Sequence, residues 1–490
     1  MTGSVDHVVI VGDDASAWLA AAALKQAFRH RALDVLVVES GAAPNRVGRW
    51  TLPSLRGLHA RLGIRETDLL RRTDATFKLA TEHCDWQGKG SRYLHAHGEI
   101  GTALSGTPFY KYLVDRTLTG HTEDAAEYSL AATAARAGRF ARPMSTNDLT
   151  ASFTYAFHLH EAAYTAYVRE HALKLGVRNA HGRVAHVQIS DARISSLQLE
   201  DGGMIDGEFF IDCSGVQGTL IDSLDDGGRE DWSSWLVNDR MLSAQASAVA
   251  DPPALTQTLA VDAGWLWQMP LARSRVVGSV YSSAFSSDDN AARSLISATG
   301  CAEPTLMKLQ QGRRRCVWRG NCVAMGETAV QIEPLAGANL HVAELGIGLL
   351  IELFPLDGDS SLEAVEYNRI MGEFADSLRD FTLAHYRAGR LREGEYWHAT
   401  RQAAPPERFA QRMDQFRAGA RLEMLDHEIF EETDWAWVLL GSGCVPDALE
   451  LHTRSTIAGA RPETFAGLRT SILRLAGSMP RHIDYVQHQR

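Results

Sequence analysis

Six cysteines are all that the 490 residues contain, and no two lie closer than six positions apart. No C-x-x-C pair exists, so neither a zinc ribbon nor a dithiol redox motif is signalled. Reduced thiols of a cytoplasmic protein are the simplest reading. Positive charge is also short. Lys plus Arg number 49 against 60 Asp plus Glu, a net of −11, which argues against a nucleic-acid binder with a broad basic surface. No apolar run reaches the ~20 residues that span a bilayer. The opening MTGSVDHVVIVG has no basic segment leading into an apolar run and a cleavage site. Repeats, low-complexity segments and disordered linkers are missing as well. Together these absences predict a single compact cytoplasmic body, long enough to bury a large core, with no nucleic acid and no membrane among its partners.

What is present begins with VVIVGDDASAWLAAAAL, residues 8 to 24. A buried strand runs through a glycine turn into a small-residue helix, and DVLVVE (34 to 39) supplies a second buried strand. This is a β-α-β unit. Glu39 ends its second strand 27 positions after Gly12, a spacing that suits an acid accepting hydrogen bonds from a ribose. Residues 161 to 175 have helical periodicity. Short alternating runs follow, then the strand FFID (209 to 212) ends at a glycine-containing turn, and NCVAMGET (321 to 328) reads as another buried strand and turn. Helices are expected over 362–390, 407–425 and 462–476. The fold class predicted is α/β, a Rossmann-like body over 1–355 with an inserted antiparallel sheet, and a mainly helical region over 356–490.

Several stretches carry a more specific signal. GWLWQMP (264 to 270), ATFKLA (75 to 80), LPSLRGLHARLGI (52 to 64), YAFHLH (155 to 160), FFIDCSG (209 to 215), IEPL (332 to 335) and RDFTLAHY (379 to 386) occur in order along nearly the whole chain. Together they resemble the flavin-dependent tryptophan halogenases. The resemblance implies the FAD-binding flavoprotein monooxygenase/halogenase fold, with FAD as cofactor. Gly12, Ala15, Ser16, Ala17, Glu39, Gly48, Asp212, Gly215 and Gly326 fall at the cofactor positions. It implies a halide, an aromatic substrate and a separate flavin reductase supplying FADH2, and it is compatible with a homodimer. Reduced FAD, oxygen and halide give hypohalous acid in that family, and the acid passes along a tunnel to a lysine, here Lys78. A lysine hydrogen-bonds and polarises such an acid, or forms a haloamine when deprotonated. Trp265, Trp267, Pro270 and Trp435 fall at the substrate and tunnel positions.

The departures from the family pattern cluster at the chemistry. The glycine loop reads Gly12, Asp14, Ala17 in place of G-x-G-x-x-G, and an acid at 4 Å from a phosphate costs about 4 kcal/mol at an effective dielectric of 20. The next flavin motif, G-V-G-E-A-T in the family, is Arg46, Val47, Gly48, Arg49, Trp50, Thr51. The motif E-P-L-E-S-T-G becomes EPLAGAN, so Ala336 stands where the family has its catalytic glutamate. Trp435 and Ala436 replace the paired tyrosines that grip free tryptophan, which points to another aromatic or indole-type substrate. Read as independent changes, these also fit a homologue that has lost catalysis and serves as a binding partner. A flavin monooxygenase is the third reading. The plainer reading of Lys78 is a surface lysine, which its apolar neighbours in ATFKLA disfavour, and Trp265 and Trp267 read equally as core strand residues. His95, His97, His158 and His160 have the H-x-H spacing of a metal site without a third ligand in range, so no metal is predicted. Cys213 reads as a small buried hydrophobe, and QGRRRCVWRG (311 to 320) as a solvated edge strand.

Overall fold

The computed structural model describes residues 5–42, 46–143, 149–224, 228–355, 360–390, 392–457 and 462–490. Two compact units interleave along the chain. One is built from residues 1–74, 159–233 and 307–376, the other from 75–158, 234–306 and 377–490.

The first unit is organised on a six-stranded sheet. Its order is Trp318–Arg319, Cys322–Ala324, Phe209–Asp212, β1 (His7–Val11), β2 (Asp34–Glu39) and Arg178–His181. All neighbours are parallel except the pair at the Trp318–Arg319 edge. Parallel strands are covered on both faces, which is why β1 and β2 read as continuous runs of Val, Ile and Leu. Helix α1 (Ala15–Ala27) follows β1 and buries ten consecutive residues from Ala15 to Leu24. Six of the ten are alanines, so the backbone packs close on both sides. Gly12 joins the two elements. A Cβ there would lie 2.7 Å from both the Cβ and the carbonyl oxygen of Cys213, so only glycine lets β1 meet the turn after Phe209–Asp212. The run at 311 to 320 corrects the solvated-edge expectation at Arg314. That residue is buried, its guanidinium pairs with Asp222, and its Nε donates to the Thr328 carbonyl at 2.8 Å.

The short alternating runs after residue 175 form a three-stranded antiparallel sheet in the first unit, Met204–Asp206, Arg193–Leu199 and Val184–Ser190, and the second unit carries a larger, mainly antiparallel sheet. Six of the seven strands of that sheet run in the order Arg240–Ser247, Ser274–Tyr281, Gly264–Pro270, Leu255–Val261, β5 (Ala80–Cys84) and β6 (Arg92–Ala96). Here β5 lies parallel to Leu255–Val261 and every other pair is antiparallel. Trp267 sits opposite Gly278 across one pair. A Cβ on Gly278 would meet the Trp267 ring at 2.3 Å and the Leu242 carbonyl oxygen at 2.4 Å. The missing side chain is the space the indole occupies.

Helices Ser361–Arg387, Glu407–Gly419 and Pro462–Ser478 lie where the periodicity predicts them, the middle one six residues shorter than expected. Among the described residues, no helix is long and apolar enough to cross a membrane.

The Trp267 fit makes a test. Gly278→Val overfills the sheet and lowers the unfolding free energy by about 1–3 kcal/mol, read as a fall in the urea midpoint. An unchanged midpoint would show that the indole is not held in this position.

Candidate active site

In the second unit, strand β4 (Thr76–Lys78) pairs antiparallel with Ala156–His160, setting Lys78 opposite Ala156. Two anchors fix it. Thr76 Oγ1 donates to the Pro270 carbonyl at 2.7 Å, tying the strand to the end of the tryptophan motif. Phe77 stacks on Phe140 at 4.0 Å and meets Tyr155 and Tyr485 edge-on, while its N–H donates to His482 Nε2 at 3.3 Å. Lys78 follows directly and is 2% exposed. It is therefore a core residue and not a solvated one.

The Lys78 amine has one hydrogen-bond partner at close range, His97 Nε2 at 2.7 Å. Burial disfavours the ammonium and pulls its pKa down from 10.5 to about 7, with the charge of Asp434 pulling the other way. Burial also holds His83, His97 and His158 well below the usual imidazole range, so they are uncharged near neutrality. Two positions along from His97 toward the N-terminus, His95 Nε2 lies 2.8 Å from Asp434 Oδ1.

The four aromatic and proline positions share burial but not surroundings. Pro270 reaches the lysine strand through Thr76. Trp265 donates its Nε1–H to Tyr386 Oη at 2.9 Å and packs against Trp86 with ring centroids 6.2 Å apart. Trp267 fills the space over Gly278. Trp435 lies under the Arg412 guanidinium, 4.4 Å from its ring, and meets Phe381 edge-on at 5.2 Å. The sequence reading considered His95 and His97 only as metal ligands and did not single out Asp434. No group of three metal-ligating side chains occurs among the described residues. The H-x-H spacing was the available signal, because alternate residues of a strand share a face.

The first unit contains a cavity of about 300 Å3 beside the β1–α1 turn, with Asp14, Arg46, Arg49, Glu161 and Glu327 in its lining. Asp14 is the N-cap of α1. Its Oδ1 accepts from the Ser16 and Ala17 amides at 3.0 and 3.3 Å, and its Oδ2 accepts from Ser16 Oγ at 3.1 Å. Burial raises its pKa and the Arg49 charge opposes that shift. Arg49 is bidentate to Glu161, both distances 2.5 Å, and Arg46 pairs with Glu327. Gly48 and Arg49 lie on the buried strand β3 (Gly48–Trp50), and Ala15, Ser16 and Ala17 are buried in the first turn of α1. Gly215 and Gly326 adopt left-handed backbone at φ 83° and 61°, and a Cβ on Gly326 would come within 3.0 Å of Ser16 Oγ. Two acids expected at the cofactor have full sets of partners. Asp212 accepts from the amides of Ser214, Leu220 and Ile221 and from Ser214 Oγ, and Glu39 is bidentate to Arg169. Ala336 ends a short turn, Pro334–Ala336, and the Trp50 indole lies on the next residue, so that a Cβ on Gly337 would meet Trp50 Cδ1 at 2.6 Å.

A sequence model described as tryptophan halogenase matches residues 7–456. The chain belongs to the tryptophan halogenase family. Tryptophan 7-halogenase RebH of Lentzea aerocolonigenes is 28% identical, over 91% of this chain and 91% of its own. Tryptophan 6-halogenase SttH of Streptomyces toxytricini is 26% identical over 99% and 98%. Among solved structures, the flavin-dependent halogenase BrvH of Brevundimonas sp. BAL3 superposes with a TM-score of 0.93, at 30% identity, covering 99% of both chains. The Rossmann-like body, added antiparallel sheet and helical C-terminal region expected from the motifs are the architecture of these halogenases.

The family uses FAD, and the corner around Asp14 can be tested for it. A pyrophosphate takes the amides at a helix N-terminus, and here Asp14 already accepts from them. The residues fit the phosphates with Asp14 protonated. Burial favours that neutral form, a neutral carboxyl donates to a phosphate oxygen, and Arg46 and Arg49 lie in the same cavity, where a phosphate would compete with Glu327 and Glu161 for them.

FAD affinity therefore weakens as pH rises and Asp14 ionises, by at most about 4 kcal/mol, or about a thousand-fold. Asp14→Asn keeps a helix cap but carries no charge, so its FAD affinity stays near the low-pH value throughout. Quenching of FAD fluorescence between pH 5 and 8 measures both. Equal pH slopes in the two proteins would remove Asp14 from cofactor binding.

Proposed function

We propose that this chain halogenates an electron-rich aromatic or indole-type substrate other than free tryptophan, with Lys78 as the catalytic residue. The observation that carries the reading is the Lys78 amine, buried and drawn down to a pKa of about 7, so that a substantial fraction holds its lone pair at neutral pH. Trp435 and Ala436, in place of the family's paired tyrosines, support a substrate other than free tryptophan.

FAD, held by the amides and glycines of the Asp14 corner and reduced by a separate reductase, would supply the two electrons that activate dioxygen, the oxidant that turns halide into hypohalous acid. The chain's own residues account for the remainder. The Lys78 lone pair attacks the halogen, an N–X bond forms as the O–X bond breaks, and hydroxide leaves as water with a proton from the amine. The aromatic carbon then takes the halogen, the N–X electron pair returns to nitrogen, and the ring proton is taken up by the same site. His97 orients the amine at 2.7 Å. The aromatic packing around Phe77 excludes water, which would otherwise stabilise the ammonium and compete for the electrophile.

Lys78→Met and Lys78→Arg test the reading. Halogenated product falls by at least about 10²-fold, while FAD binding is unchanged. In the native protein the rate rises with pH through about 7 as the amine loses its proton. The stability effect has a definite sign. The unfolded lysine holds a proton that the folded one releases between about 7 and 10.5, so native stability rises with pH across that window. Lys78→Met, freed of the buried ammonium, melts higher than the native protein at pH 6 and gains less at pH 9. Product formation at the native rate in either variant would overturn the role of Lys78.

A further inference from the structure

We propose that Asp434, held by His95, is a positioning residue for Lys78, its carboxylate acting on the amine through the paired histidines in a chain where Ala336 brings none. This rests on the reading of Lys78 as the reactive amine. The geometry begins with β6 and the residue after it. His95 and His97 alternate along the chain and so face the same side. Their rings meet edge-on with centroids 6.2 Å apart. One imidazole takes the lysine amine at 2.7 Å and the other takes the carboxylate at 2.8 Å. Asp434 is fixed independently, since its Oδ2 accepts from the Glu431 N–H at 2.9 Å in the capping box of helix Glu432–Gly441.

The electrostatics select the same residue. The titratable groups around the amine come from β5 (His83), from β6 and its end (His95 and His97), from Ala156–His160 (His158), from the C-terminal helix His482–Gln489 (His482) and from Glu432–Gly441 (Asp434). Burial keeps His83, His97, His158 and His482 uncharged near neutral pH. Asp434 is the group whose charge acts on Lys78 against the effect of burial. Its side chain is 25% exposed, whereas Lys78 is 2% exposed. Asp434 thus reaches solvent while the amine it acts on does not. Asp434 touches the amine only through the histidines and the field, so it is a positioning residue.

The test is the pH dependence of Lys78 acetylation by trace acetic anhydride, a small electrophile that reacts only with the neutral amine, followed by mass spectrometry of the Lys78 peptide in the full chain. Asp434→Asn moves the labelling midpoint down by about one pH unit, a tenfold change in the ammonium-to-amine ratio at a fixed pH. Asp434→Glu restores the native midpoint. His95→Phe, which releases the carboxylate, moves it the same way and carries the test if Asp434→Asn does not fold. Unshifted midpoints in both variants would overturn the role of Asp434 and leave the function of Lys78 standing. A native Lys78 that labels only above pH 9, or never while surface lysines label, would instead overturn the reading of Lys78 as a reactive amine.

Discussion

Keeping one amine out of water is the constraint on which the chemistry proposed for the second unit depends. A lysine whose pKa falls from 10.5 to about 7 costs the folded state roughly 5 kcal/mol at low pH relative to a solvated one. No other part of the unit explains why that cost persists. The strand that carries it is over-determined. Phe77 lies in a ring of aromatic side chains, Thr76 is tied to Pro270, and the three-residue strand is paired along its length. The lysine cannot swing to solvent without breaking that packing, so it stays buried and gives up its proton instead. The neutral histidines around it are part of the same effect, since a charged imidazole beside the amine would only deepen the cost.

The departures from the family pattern look different once they are placed. As a sequence, Asp14, Arg46, Arg49, Trp50 and the run from Ala336 to Asn339 read as separate losses. In the first unit they answer one another. Arg49 takes Glu161 and lends its charge to Asp14, Arg46 takes Glu327, and Trp50 lies where Gly337 has no side chain. Random loss of a cofactor site leaves orphaned charges and voids, each costing a kilocalorie or more. Here the arginines have carboxylate partners and the Trp50 indole has the space left by Gly337.

The sequence made the backbone legible where period and composition decide it. β1, β2 and the strand Phe209–Asp212 were read within a residue or so, because a strand buried on both faces has few other compositions. Lys78 was legible through the residues flanking it. The pairs were not. Arg49 and Glu161 lie 112 positions apart, and His95 and Asp434 lie 339 apart. Periodicity reports which face of an element a residue takes but not which distant element meets that face. For the same reason Glu39 and Asp212 read as cofactor acids. Nothing in a strand-end carboxylate reveals that Arg169 or a following turn claims it first.

That prior claim bears on how the proposed function would work. Three features in the first unit have partners of the kind a flavin nucleotide would otherwise supply. Asp14 accepts from the helix amides, Glu161 and Glu327 hold the arginines, and Arg169, stacked over Trp18 at 5.2 Å, holds both oxygens of Glu39. A corner that satisfies its own polar groups is stable without cofactor, and binding there exchanges interactions in place of adding them. Net affinity is then the small difference between two good sets of hydrogen bonds. Such a site suits a cofactor that arrives reduced from a separate enzyme and leaves after one turnover, and is poorly suited to one retained through purification. The same exchange makes the protonation of Asp14 decisive, because it is the one partner whose claim on the amides weakens without any other bond having to break.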